Sequence, residues 1–128
     1  MHPRTIAAQF LRLRRRPTHR FPKRGFALAA PDQHGVYIIT DSKGKVVHVG
    51  RTIRGRRGLY QRLRNHIQGQ SSFVLSYLNG DGETLRDGYG FQYLEVNDDK
   101  QRAFLEALAI GRLCPSHIGI GVNTKKRK

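Results

Sequence analysis

The sequence predicts a small α+β domain, and three observations carry that prediction. Gly35-Val36-Tyr37-Ile38-Ile39-Thr40 and Val46-Val47-His48-Val49-Gly50 are two β-branched, aromatic-containing runs on either side of a turn cluster. Leu59, Leu63 and Ile67 recur at helical spacing. An aromatic strand pattern over Tyr89–Val96 is followed by an acid-capped helical pattern that Pro115 ends.

Taken in order, residues 1–16 are arginine-rich and free of acids, with Ile6, Phe10 and Leu13 at helical spacing. Organelle transit peptides share those features, but the near absence of Ser favours a solvated or nucleic-acid-binding helix. Pro17 and Pro22 break all periodicity across residues 16–25, which reads as an extended linker or a flap. Asp41-Ser42-Lys43-Gly44-Lys45 closes a β-hairpin. A two-residue loop at Ser42-Lys43 or at Lys43-Gly44 puts Tyr37 and His48 on one face, whereas a one-residue slip separates them. In the helix that follows, Arg62 and His66 stand four apart on a face beside the apolar stripe and can reach one ligand together. A short helix is expected over Ser72–Leu78, broken by Asn79-Gly80-Asp81-Gly82. Asn97-Asp98-Asp99 starts the last helix, with acids in its first turn.

Charge bounds the function. Of 128 residues, 24 are Lys or Arg and 9 are Asp or Glu, a formal net charge of +15. Such a chain favours polyanions. Residues 1–24 hold eight of the cations and residues 43–64 another eight, with no acid in either stretch. The sequence therefore divides into a basic N-terminal arm and linker (1–33), a folded domain (34–122) and a basic tail (123–128). No apolar run approaches the roughly 18 residues of a membrane span. Cys114 is the one cysteine, so an intrachain disulfide and an all-cysteine zinc site are excluded. An intracellular setting is expected, with organelle targeting by the arm as the alternative. No phosphate-binding Gly-rich loop ending in Lys-Ser/Thr is present, which excludes the common nucleotide hydrolases.

Glu106 is the oddest residue, set in Ala-Phe-Leu-Glu-Ala-Leu-Ala-Ile. A carboxylate in that setting must snorkel to water, pair with an Arg or bind a cation.

Gly35-Val36-Tyr37 and, ten residues on, His48-Val49-Gly50-Arg51 resemble the paired motif of the GIY-YIG nuclease family. Arg62-Leu63-Arg64-Asn65-His66 is similar to the helix that follows, and Phe104-Leu105-Glu106 with Pro115 to the metal-binding helix and its exit. The resemblance covers residues 34–118 with the elements in order. It implies a three-stranded antiparallel sheet flanked by helices, and metal-dependent hydrolysis of DNA, duplex or branched. By position, Tyr37 takes or relays the proton of the attacking water. Arg62 holds the scissile phosphate, His66 assists orientation or proton transfer, and Glu106 binds one divalent cation, Mg²⁺ or Mn²⁺. Arg51 stands where many members have Lys. Arg51, Arg54, Arg56 and Arg57 are the expected phosphate contacts.

Two positions depart from the family pattern. His48 replaces a Tyr and can still donate a hydrogen bond or act as a base. The late Asn falls on Ile118, with Asn123 five residues further on. A phenol with a pKa of about 10 is a weak base at neutrality, so nearby arginines, Arg51 and Arg62, and a metal are expected to lower that of Tyr37. The alternative function is a catalytically weak or inactive module that binds DNA or structured RNA.

Overall fold

In a computed structural model that describes residues 1–118, the chain opens with helix α1 (Pro3–Arg15) and a two-residue strand, β1 (His19–Arg20). The hairpin strands β2 (Gly35–Thr40) and β3 (Val46–Arg51) follow, then α2 (Gly58–Ile67) and α3 (Ser72–Tyr77). A 3-10 turn over Gly82–Arg86 leads to β4 (Gly90–Glu95) and α4 (Asp99–Leu113). The strands form one antiparallel sheet in the order β1-β4-β2-β3. Asn123, the basic tail 123–128 and the expected domain end at 122 lie outside the described residues. Among the described residues, no helix is long and apolar enough to cross a membrane.

The three strands and the helices fall where the sequence puts them, but the sheet has a fourth strand. Within the segment read as an extended linker or a flap, His19 and Arg20 pair with Phe91 and Gly90, and the N–H of Phe21 bonds to Tyr89 O at 3.0 Å. That strand covers the outer edge of β4. Pro17 and Pro22, which lack an N–H, confine it to two residues, as suits an edge.

The hairpin places Tyr37 and His48 on one face by a different route from a two-residue loop. Asp41 N–H bonds to Lys45 O and Gly44 N–H to Asp41 O, with Gly44 at φ 86°. That is a three-residue loop with its glycine left-handed. Alone it would separate the two rings. The register then shifts between Ile39 and Thr40, with Thr40 opposite Val46 but Ile39 opposite His48, so the pairing skips Val47. One extra residue in β3 restores the shared face.

The sheet is covered on both sides. Tyr37, Ile39, Val47 and Phe91 pack against Leu59, Leu63 and Ile67 of α2 and Phe73 and Val74 of α3. Val36, Ile38, Val49 and Leu94 pack against Leu105 and Ala109 of α4. β2 lies between β4 and β3 and is buried on both faces, which is why its sequence shows no alternation. Helix α1 joins the second layer through Ile6, Phe10 and Leu13, all buried, and carries Arg12, Arg14 and Arg15 in its last turn. The basic start of the chain is thus an amphipathic helix seated on α4 and β4, with its apolar stripe in the core.

Candidate active site

The site forms at the outer edge of β3, where the α2 layer and the α4 layer open onto a cleft of about 220 Å³. His48 and Arg51 come from β3, Arg62 from α2 and Glu106 from α4, and all four line it. Tyr37 comes from β2, opposite Gly50 in the register. Its ring lies over that glycine so closely that a Cβ at position 50 would collide with the Tyr37 hydroxyl and ring. The glycine of the second motif is thus a steric requirement of the tyrosine of the first.

Behind the cleft runs a buried polar chain. The Tyr37 hydroxyl lies 2.6 Å from His66 Nε2, and His66 Nδ1 lies 2.6 Å from Ser71 Oγ. Ser71 Oγ also accepts from the N–H of Val74, capping α3. With Oγ already accepting, the chain is consistent as Tyr37 O–H to Nε2 and Nδ1–H to Oγ. Burial pushes the Tyr37 phenol up to about 12; Arg62 pulls it down, Glu106 pushes it up, and burial dominates. The lowering expected from the arginines is present at Arg62 but outweighed, because the ring is wholly removed from water. Burial likewise holds His66 well below the usual histidine value, with His48, Arg62 and His117 adding to the effect. His66 is fully buried and does not line the cleft, so it and Arg62 do not present to one open ligand site as their spacing suggested.

His48 is buried against Phe73, ring centroids 4.6 Å apart, and its own value is pushed down to about 3 by burial, then by His117 and Arg62. It is a neutral ring at pH 7.

Glu106 is paired. Arg51 Nη1 lies 2.5 Å from its Oε1, while Oε2 has no hydrogen-bond partner among the described residues. Burial raises the Glu106 carboxyl, and Arg51 and Arg62 oppose that. Two of the three readings left open by its apolar setting are thus compatible, since one oxygen is held by an arginine and the other is available to a cation. Among the described residues, no group of three or more His, Cys, Asp or Glu could hold a metal. The donor set is one carboxylate, which suits a hard cation that keeps its waters.

The arginines expected on phosphate divide. Arg51 belongs to the site itself. Arg54 is exposed and lines an adjoining cleft together with Arg51 and Arg62. Arg56 is exposed and in no ion pair among the described residues. Arg57 lies 3.4 Å from Asp32 and stacks over Tyr60 at 4.2 Å, so an acid does partly balance this loop. The pair is solvated and contributes little.

Three residues escaped the sequence reading. Ser71 had a visible signal as a helix cap, but its bond to His66 is tertiary. Arg102 is buried and donates to three carbonyls, Thr52 O at 3.0 Å, Val96 O at 3.0 Å and Asn97 O at 2.8 Å. It ties α4 to the residue after Arg51, and only the fold reveals that. His117 lines the cleft with its Nδ1 3.2 Å from that of His48. Ile118, where the late Asn was expected, also lines the cleft.

A comparison with protein-family models matches residues 33–115 to the GIY-YIG catalytic domain. No curated protein matches the chain. Among solved structures, the GIY-YIG N-terminal endonuclease domain of UvrC from Thermotoga maritima, bound to its catalytic divalent cation, is 27% identical over 70% of this chain and 86% of that one, with a TM-score of 0.49. The same domain bound to magnesium is 22% identical over 91% of this chain and 97% of that one, also at 0.49. The family model spans well over half of the 128 residues and includes Tyr37, His48, Arg62, His66 and Glu106. The chain belongs to the GIY-YIG catalytic domain family.

Proposed function

We propose that the protein is a divalent-metal-dependent endonuclease that hydrolyses DNA phosphodiester bonds. The observation that carries this reading is the convergence of Arg62 and Glu106, with His48 and Arg51, on one cleft. Arg62 holds the scissile phosphate and offsets the charge that develops on its oxygens. Glu106 is the protein ligand for one Mg²⁺ or Mn²⁺ ion, through the oxygen that Arg51 leaves free. When bound, the ion supplies Lewis-acid polarisation of the phosphate.

Tyr37, backed by His66 at 2.6 Å, takes or relays the proton of the attacking water. His48, which lines the cleft and packs on Tyr37 at a ring separation of 5.9 Å, assists by orienting its neighbours through the hydrogen bond it can donate. Arg54 and Arg56 contact phosphates on either side, Arg57 more weakly because Asp32 competes for it. A DNA substrate implies an intracellular place of work.

The test incubates the protein with plasmid, single-stranded DNA, branched DNA and structured RNA, in Mg²⁺, in Mn²⁺ or with chelator. Cleavage of a DNA form that chelator abolishes is the expected result. Binding without cleavage of every form overturns the reading in favour of a nucleic-acid-binding module.

A further inference from the structure

His117 belongs to none of the motif residues, yet the fold sets its ring among them. Cys114, left-handed at φ 45°, ends α4, and the chain then runs along the outer edge of β3. There the N–H of His117 bonds to Val47 O at 2.9 Å, which fixes the backbone beside the strand that carries His48. The His117 ring lines the cleft with Arg62 and Glu106.

The two imidazoles meet through Nδ1 and Nδ1, 3.2 Å apart. Neutral rings at that distance share one hydrogen, carried by one Nδ1 and accepted by the other. The far end of His48 favours one arrangement. Its Nε2 is buried with no hydrogen-bond partner among the described residues. A proton on that atom would leave a buried N–H donor orphaned, and such donors are rare. With the proton on Nδ1 instead, His48 donates to His117 Nδ1, and His117 must carry its own proton on Nε2. A bound phosphodiester selects the same arrangement, because its oxygens only accept hydrogen bonds and bind the form that offers an N–H.

We propose that His117 contacts the substrate, donating from Nε2–H to a non-bridging oxygen of the phosphodiester held by Arg62, with His48 fixing the tautomer that makes this possible. The contact rests on the endonuclease activity proposed above. No proton is transferred; the donor adds a neutral hydrogen bond to oxygens whose charge grows during attack.

The experiment uses the full chain labelled with ¹⁵N-histidine. Long-range ¹H–¹⁵N spectra should show His117 protonated on Nε2 and His48 on Nδ1. Adding duplex DNA in Ca²⁺ should shift the His117 Nε2–H more than any signal of the remote His2 or His19. His117→Ala should slow single-turnover cleavage roughly 10²-fold while DNA affinity stays within a few-fold, and His117→Gln, which keeps an N–H donor, should recover part of the loss. A His117 protonated on Nδ1 in the DNA complex overturns the proposal, as does a folded His117→Ala that cuts like the parent. If the parent cuts no DNA, the endonuclease reading falls by itself, and the DNA-dependent shift of the His117 Nε2–H still decides the contact.

Discussion

Nε2 of His66 lies 2.6 Å from the hydroxyl of Tyr37, and neither side chain has any surface in contact with solvent. The first motif's tyrosine is therefore tied to the buried histidine of α2 by a contact sealed from bulk water. Tyr37→Phe removes one oxygen and leaves His66 Nε2 without its partner. Cleavage should fall roughly 10²-fold, and unfolding in urea should show a loss of about 1–3 kcal/mol. A loss of stability with an unchanged rate per folded molecule would make Tyr37 a brace for His66 and nothing more.

Glu106→Gln keeps the size of the side chain and removes the charge that the proposed cation would need. It also weakens the Arg51 pair. Metal-dependent cleavage should vanish while the circular dichroism spectrum and DNA affinity stay close to the parent's. An unchanged cleavage rate would remove Glu106 from the metal site.

Arg62 and Arg54 should separate catalysis from binding. Arg62 lines the cleft beside Glu106, whereas Arg54 lies in the exposed loop. Arg62→Ala should bind DNA in Ca²⁺ within a few-fold of the parent and cut roughly 10²-fold more slowly. Arg54→Ala should bind less tightly and turn over normally at saturating DNA. Equal losses of rate and affinity at Arg62 would make it one more backbone contact.

The two faces of α1 should respond differently. Leu13 is fully buried between α1 and the sheet layer, while Arg12 and Arg15 are exposed. Leu13→Ala should cost about 2–5 kcal/mol of stability and leave the salt dependence of DNA binding alone. Replacing Arg12 and Arg15 by Gln should leave stability nearly unchanged. If both touch phosphates, it should reduce the slope of log K against log salt by about 2. An unchanged slope would place α1 away from the DNA.

Acid should destabilise the fold before the carboxylates titrate. His48 and His66 are held neutral by burial, His48 down to about 3 and His66 well below the usual value. Between those values and about 6.5 the unfolded chain binds the protons that the folded chain refuses. The stabilisation is fully present above about pH 6.5 and declines as pH falls through that window, by up to about 1.4 kcal/mol per pH unit for each ring. Glu106 works the other way: its raised value favours the folded state at low pH and loses that contribution as pH rises through the folded value. Urea midpoints measured from pH 8 to pH 4 should fall toward acid, and less steeply in His48→Phe. A flat profile would mean that these rings are not buried as neutral species.

The amino-acid sequence by itself determined the hairpin, because β-branched runs on either side of Asp41-Ser42-Lys43-Gly44 leave few other options. It also determined α2 and α4, through the Leu59–Leu63–Ile67 stripe and the Asp98 cap, whose side chain accepts from Gln101 N–H. The residue types of the site were legible for the same reason: they sit at fixed offsets within local elements. Tertiary structure decided what those side chains face. The shared face of Tyr37 and His48 depends on a one-residue shift that no local pattern announces. The closure of β4's edge by His19 and Arg20 depends on a partner some seventy residues away. Burial reversed the direction in which the tyrosine's acidity moves, since desolvation is set by all the atoms that surround a group and charges several residues away in sequence cannot report it. Ser71, Arg102 and His117 entered the site for that reason alone: each is unremarkable in its own segment and acquires a role only from the groups that packing brings within hydrogen-bond distance.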